Sequence, residues 1–342
     1  MKDVLIVGGG IAGLECARQL AQRGHSITLM DSAPQVGGNV ANWHNCYPFD
    51  KTGQEIINEL RQRGNIQLIP RTRVNNIEHY GNTFRVSFFG GEQNYDARCV
   101  VLTTGFTPFD ASIKEELGYG VYPRVITSIE LEKAWGEGRL PFDTSDTEAP
   151  RFAIVHCVGS RDLKCGVTHC SKVCCMAGIK AAKELKTHYP TCQVTNYYMD
   201  LRMFDLQYEE LYHSAQIECN TQFVRGRISE ISLGNLGRLK LKSEDTLLGT
   251  PIVDRVHGVV LMVGMQPGTA ITVNNQPLTV NSNGFLAPKS NLNPNTTEIE
   301  GLFVAGACKG PKTITETLAD AKAASLEIDS YLNTIKNELN EQ

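Results

Sequence analysis

Val4-Leu5-Ile6-Val7-Gly8-Gly9-Gly10-Ile11-Ala12-Gly13 decides the fold of this 342-residue chain. Four apolar residues in a row suit a strand buried on both faces. Gly8, Gly10 and Gly13 then satisfy G-x-G-x-x-G, and a helical pattern runs on through Gln22. In that setting of strand, tight turn and helix, the glycines let a pyrophosphate approach the backbone, and the helix start offers free N–H groups and a positive dipole end. A second apolar strand over 26–30 ends at Asp31, 18 residues beyond Gly13, where a carboxylate accepts bonds from ribose hydroxyls. The motif alone is a weak signal. With the strand, the helix and the acid in register, it predicts a dinucleotide site. A glycine-rich turn in an empty nucleotide fold is the plainer alternative.

Working outward, Gly37-Gly38 suits a flexible loop over an extended nucleotide. Val100-Val101-Leu102-Thr103-Thr104-Gly105 is a strand that ends in a small-residue turn. Near the C-terminus, Leu302-Phe303-Val304-Ala305-Gly306-Ala307-Cys308 repeats that pattern, and a helix is predicted from Thr313 or Thr315. The arrangement resembles flavoproteins with two dinucleotide folds, of the thioredoxin reductase and glutathione reductase type. The resemblance implies FAD, with Gly8, Gly10, Gly13, Asp31, Gly38, Thr104, Gly105, Gly306, Lys312 and Thr313 as its binding residues. One departure stands out: that family has Gly-Asp after the last strand, whereas Gly306 here precedes Ala307-Cys308. The carboxylate contact to the ribityl chain is then absent or comes from another residue. Thr313 and Thr315 are candidate helix caps. Lys309 and Lys312 are either flavin contacts or plain loop charges.

From about Arg151 to Pro267 the strand, helix, strand pattern recurs, with strands expected at 152–155, 193–199, 223–233, 238–243 and 258–263 and a helix from about Ser171 to Leu185. Thr127 and Glu130 form a capping-box pattern at the start of a connecting helix through Trp135, and the stretch 140–150 reads as a linker. The second glycine-rich turn, however, is missing. In its place stands His156-Cys157-Val158-Gly159-Ser160-Arg161-Asp162-Leu163-Lys164-Cys165-Gly166-Val167-Thr168-His169-Cys170-Ser171-Lys172-Val173-Cys174-Cys175, with five cysteines in 19 residues (157 through 175). Thiolates from several directions suit an iron–sulfur cube. Cys170, Cys174 and Cys175 are expected on one helical turn, with Cys157 as the fourth ligand at the end of the preceding strand. Structural zinc normally shows C-x2-C knuckles and a thioredoxin-reductase dithiol needs C-x-x-C; neither is present. Free or redox-active thiols stay open as an alternative. Cys165 is the odd member: a spare thiol, a substituted ligand or a persulfide acceptor.

Cys157-Val158-Gly159-Ser160-Arg161-Asp162 followed by Cys170-Ser171-Lys172-Val173-Cys174-Cys175-Met176 resembles the signature of the A-type subunits of heterodisulfide reductase and their relatives. Tyr197-Tyr198-Met199-Asp200-Leu201-Arg202 and Gly306-Ala307-Cys308-Lys309-Gly310-Pro311-Lys312 carry the likeness along the chain. It implies a [4Fe–4S] cluster on Cys157, Cys170, Cys174 and Cys175 beside FAD, in a homodimer. The ferredoxin runs of large methanogenic forms are missing, and the stretch 39–49 holds only Cys46 where those forms and quinone-coupled relatives have a cysteine pair. The chain therefore looks most like the short A-type member of the heterodisulfide-reductase-like complex of sulfur oxidisers, with B- and C-type partners. A quinone-interacting electron-transfer flavoprotein, a stand-alone flavin disulfide reductase and a non-catalytic flavoprotein scaffold or sensor are the competing readings.

Lys180 is a candidate to approach the flavin ring and stabilise its reduced anion, against the alternative of a solvated surface lysine; with Cys165 it completes the catalytic candidates. Cys16, Cys99, Cys192 and Cys219 read as packing residues, Cys308 as a core thiol or a flavin neighbour. His156 and His169 flank ligand cysteines without being expected to ligate, and Trp43 and His44 either line the flavin or pack.

Composition bounds the rest. A net charge of -4 with no basic cluster gives no footprint for nucleic acid or an anionic membrane. No apolar run reaches a membrane span, and Met1-Lys2-Asp3 leads straight into a strand, so a cytoplasmic location and reduced thiols are expected of the 11 cysteines. The expected architecture is α/β: two Rossmann-like domains, with 1–125 and 268–342 binding FAD, 126–150 connecting, and 151–267 a degenerate NAD(P)-type domain carrying the cluster.

Overall fold

Lys2–Val7 is the strand around which the first unit is built. It pairs in parallel with Ile27–Met30 on one side and Tyr95–Leu102 on the other, with Val4 facing both Ile27 and Cys99. Ile66–Ile69 extends the parallel set beyond Ile27–Met30, and Leu302–Val304 pairs in parallel with Tyr95–Leu102. An antiparallel ribbon of Val74–Tyr80 and Thr83–Phe88 completes the sheet, with the short Thr272–Val273 and Gln276–Pro277 at its edge. Val4, Ile6, Leu29, Val100, Val101 and Leu102 are fully buried, which explains why these strands read as unbroken apolar runs. Helix Ile11–Gln22 packs on the C-terminal helix Ile314–Asn340, where the Cys16 thiol meets the Ala321 carbonyl at 3.4 Å.

This computed structural model describes residues 2–61, 66–88 and 94–340. It divides into two units: residues 1–41, 51–107 and 266–342, and residues 42–50 and 108–265.

The second unit carries a parallel sheet in the order Gln222–Arg225, Gln193–Tyr198, Arg151–Val158, Gly258–Val263, Val125–Thr127. Alternate residues of Arg151–Val158 serve two cores. Phe152 and Ile154 pack with Leu131, Trp135, Ala182 and Leu185 from helices Ser128–Gly136 and Cys174–His188. Ala153 and Val155 pack with Ile231, Leu241 and Val256 from a three-stranded meander, Ile228–Leu233, Leu239–Asp245 and Thr250–Val256.

The division differs from the boundaries expected from sequence. Val125–Thr127 is hydrogen-bonded to Gly258–Val263, so the stretch from 108 to 150 belongs to the second unit and is not a connector. Residues 42–50 also fold with that unit. The strand expected over 223–233 is two strands, because Gly226 sits so close to the Glu244 carbonyl (2.0 Å from where a Cβ would stand) that the chain turns there. Thr250–Val256 was not foreseen. The capping box is as read: the Thr127 hydroxyl accepts from Glu130 N–H, and the Glu130 carboxylate accepts from Thr127 N–H.

Candidate functional site

In the first unit the phosphate turn is held by close packing that only glycine permits. Gly8 has φ +112, and a Cβ there would stand 2.4 Å from the Thr103 carbonyl oxygen. A Cβ on Gly13 would stand 2.0 Å from the Gly8 carbonyl and 2.8 Å from the Thr103 hydroxyl. Gly10 is the N-cap of helix Ile11–Gln22 and makes no side-chain cap bond, so the first-turn N–H groups have no side chain competing for them. Asp31 ends Ile27–Met30 as expected, its carboxylate accepting from the N–H groups of Gly9 and Ala33. Gly37-Gly38, expected to be flexible, is tied down instead: Gly37 N–H donates to the Gly9 carbonyl at 2.7 Å, and Gly38 stacks on Gly10. Thr103, missed by the motif reading, hydrogen-bonds the Gly8 carbonyl at 2.7 Å and anchors the turn; Thr104 and Gly105 follow it, half-buried.

At the other strand end, Gly306 (φ +82) lies where a Cβ would meet Ala12 at 2.6 Å, so this turn rests on the phosphate helix. Its N–H donates to Asp320 at 2.7 Å. Asp320, on helix Ile314–Asn340, thus brings a carboxylate to the turn that lacks the Gly-Asp pair. It lies beyond the run that carries the motif and has no local signal. Lys309, a candidate flavin contact, is committed: its ammonium binds Asp320 and the Pro294 carbonyl, each at 2.7 Å. Lys312 is half-buried, and Thr313 caps the helix reciprocally with Glu316, at 3.0 and 3.1 Å. Thr315 lies inside the helix. Cys308 is a core thiol bonded to the Leu102 and Ala305 carbonyls, burial pushing it up to about 11. This turn–helix–acid set fits a dinucleotide.

In the second unit the cysteine run forms two pinned loops. Cys157, next to last in Arg151–Val158, lies in the left-handed region, with φ 59, and Arg161 (φ 54) and Lys172 (φ 65) share that conformation. Such residues are costly and concentrate at functional sites. Arg161 N–H donates to the His169 carbonyl at 3.0 Å. The buried hydroxyls of Ser160 and Ser171 bond each other at 2.6 Å, and Met265 N–H donates to Ser171 at 2.7 Å. Gly264, also missed from sequence, makes room: a Cβ there would lie 2.2 Å from the Ser160 hydroxyl.

Helix Cys174–His188 starts later than expected, so Cys170 lies in the loop before it and not on the same turn as Cys174 and Cys175. The left-handed Lys172 between them stops the helix from reaching back. The thiols of Cys157, Cys170, Cys174 and Cys175 nevertheless feel one another. Burial first, then Cys175 and Cys170, push Cys157 up to about 11, with Arg161 opposing; burial and the other three also raise Cys174 well above the usual thiol range. Burial raises Cys175 too, while the Arg202 N–H, 3.5 Å from its sulfur, favours the thiolate. Lys172 N–H makes a like bond to Cys170 at 3.3 Å. Arg161 is ion-paired with Asp200 beside them. Burial opposes ionisation of Cys157, Cys174 and Cys175, and a bound cation would reverse that, the behaviour of metal ligands. Among the described residues no three His, Cys, Asp or Glu side chains close on a single metal ion. A multi-iron cube spreads its thiolates wider than one ion does, and the donor set suits it.

Cys165 is apart. It sits in a tight loop closed by Asp162 and Val167, and the charges that act on it are those of Asp162, Lys114 and Glu116 and not those of the other four cysteines. All 11 cysteines are unpaired, and Cys16, Cys99 and Cys192 are buried packing residues as expected, with Cys219 half-buried. His156 bonds Asn196 at 2.8 Å and His169 donates to the Met265 carbonyl at 2.9 Å. His44 packs against Trp135, with ring centroids 6.5 Å apart.

Lys180 is not the solvated lysine of the plainer reading. It is buried, its ammonium ion-paired with Glu132, 2.7 Å from the Asn45 carbonyl and 3.9 Å from Glu184. Glu132 in turn accepts from His44 N–H at 2.9 Å. With these partners Lys180 fastens the segment 42–50.

Residues 2–131 match the pyridine nucleotide-disulphide oxidoreductase family model. The iron-sulfur A subunit of the CoB–CoM heterodisulfide reductase of Methanocaldococcus jannaschii is 29% identical over 95% of this chain and 63% of its own length. The A subunit of the H2/formate:CoB-CoM heterodisulfide,ferredoxin reductase of Methanococcus maripaludis is also 29% identical, over 95% and 63%. The chain thus spans less than two thirds of these relatives. Two thioredoxin reductase structures share the fold: that of T. acidophilum (TM-score 0.68, 20% identity, 96% of this chain and 98% of the other) and that of Lactococcus lactis (0.69, 18%, 98% and 100%).

Proposed function

We infer, from its kinship with the A subunits of heterodisulfide reductases, that this chain is the FAD- and [4Fe–4S]-carrying electron-transfer component of a heterodisulfide-reductase-like complex. The observation that carries the reading is the proximity of Cys157, Cys170, Cys174 and Cys175, three of them buried, in a unit where a second glycine-rich turn would otherwise stand. When bound, FAD exchanges electrons in pairs and the cluster exchanges them singly, which suits traffic between a thiol/disulfide or sulfane-sulfur couple and a one-electron carrier. The chain's own residues do the holding. Gly8, Gly10, Gly13 and the start of Ile11–Gln22 receive the pyrophosphate, Asp31 the ribose. Gly38, Thr104, Gly105, Gly306, Lys312 and Thr313 would complete the flavin site, and the positive end of Ile314–Asn340 favours a negative flavin oxygen. The four cysteines would ligate the iron, and the N–H groups of Lys172 and Arg202 stabilise sulfur charge without adding a proton.

The single cysteine in 39–49 favours the sulfur-oxidising variant, working in the cytoplasm as a homodimer with B- and C-type partners. No helix of the described residues is long and apolar enough to cross a membrane. Anaerobic purification with flavin, iron and acid-labile sulfide analysis tests the reading: about one flavin and four irons per chain are expected, with single Cys→Ala changes at the four positions abolishing the low-temperature EPR signal and Cys165→Ala leaving it intact. Flavin without iron, even after reconstitution, overturns it.

A further inference from the structure

A cavity of about 550 Å³ opens in the second unit at the carboxyl ends of Arg151–Val158 and Gln193–Tyr198. That is where open α/β sheets take their ligands, and its size lies within the usual range for small-molecule sites. The cysteine loops, which stand in place of the second glycine-rich turn, leave a cleft beside them: Cys157 forms part of its wall.

The cavity has two characters. Val155, Tyr197 and Ile228, all buried, make part of the lining apolar. Its charged lining comprises four cations (Lys114, Arg161, Lys164, Arg227) against two carboxylates (Glu116, Asp162), a surplus of two positive charges. The bonding shows where that surplus resides. Lys114 is held between Glu116 and Asp162, each at 2.7 Å, and Arg161 is paired with Asp200, a carboxylate outside the lining that brings the net surplus to one. Arg227 is half-exposed, 3.9 Å from Asp162 and otherwise bonded to the Arg161 carbonyl at 3.2 Å. Lys164 is exposed and has no ion pair among the described residues.

We propose that this cleft binds a small organic anion, an apolar or aromatic body bearing one phosphate or sulfonate group that Lys164 and Arg227 hold at the mouth. Guanidinium and ammonium groups are the natural partners of such oxyanions. Lodged there, the ligand touches the wall that carries Cys157. The inference stands on the cleft and its charges and does not require the cluster.

Calorimetric titration of the protein as purified tests it, with AMP as the phosphate probe and benzenesulfonate as the sulfonate probe. Saturable binding of one or both is expected, weakened at least tenfold in Lys164→Glu and in Arg227→Glu and unchanged in the control Lys289→Glu. Whichever probe binds more tightly identifies the head group. Lys164 lies on an exposed loop, so its substitution leaves the core intact; flavin content and melting temperature confirm this. Absence of saturable binding by either probe, or equal binding by the charge-reversed variants, overturns the proposal. Iron content is measured alongside, so a failed cleft and a failed cluster give separate results.

Discussion

On helix Cys174–His188, a carboxyl oxygen of Glu184 is shut off from solvent beside Lys180 and within reach of the charge on Glu132. Burial raises the pKa of this group from 4.5 to about 7, Lys180 opposing and Glu132 reinforcing the shift. The sign of the consequence follows from linkage. The folded chain holds this proton more tightly than the unfolded one, so stability is lost as pH rises from about 4.5 to about 7 and is level above that. Glu184→Gln removes the penalty. Chemical denaturation at pH 5 and pH 8 is expected to show the variant gaining about 2–3 kcal/mol on the parent between the two; parallel curves would sink the assignment. The same residue-scale physics acts on Cys174, where burial and then the neighbouring cysteines raise the cost of ionising the thiol.

At the scale of elements, two helical glycines carry opposite meanings. Gly136 closes helix Ser128–Gly136 with nothing within 4 Å of where a Cβ would stand, whereas Gly13 sits in Ile11–Gln22 with the Gly8 carbonyl 2.0 Å from that position. Alanine is the better helix former by about 0.5–1 kcal/mol. Gly136→Ala is therefore expected to be neutral or to stabilise by up to about that amount. Gly13→Ala forces the phosphate turn away from its helix; a loss of at least about 1 kcal/mol and of bound flavin is expected in thermal unfolding and in the absorption spectrum of the purified protein. Equal behaviour of the two variants would mean that the close approach of helix and turn is not what holds the site.

For the whole molecule, the decisive fact is that each unit is assembled from separated stretches of chain. The segment 42–50 leaves the residues that flank it in sequence and folds with the second unit, held by the Lys180–Glu132 pair through the Asn45 carbonyl and the His44 N–H. Removing one member of a buried pair strands the other charge, typically at about 3–5 kcal/mol. Lys180→Ala is expected to cost about 3 kcal/mol and to open 42–50 to limited proteolysis, whereas Lys180→Met with Glu132→Leu recovers much of the stability; an unchanged cleavage pattern in the single variant would show that the segment is held otherwise. Both nucleotide-fold patterns, the phosphate turn with Asp31, the Thr127 and Thr313 caps and the cysteine run were readable from the chain, because each is written in local spacing: a strand's apolar run, a turn's glycines, a cap three residues before its acid. Tertiary structure alone decided that Val125–Thr127 joins the second sheet, that Asp320 reaches Gly306, that Thr103 and Gly264 brace the two turns, that Lys180 is spent on an ion pair, and that a cleft survives beside Cys157. The physical reason is distance along the chain: these contacts join residues whose meeting depends on how whole sheets and helices pack, and no periodicity records that.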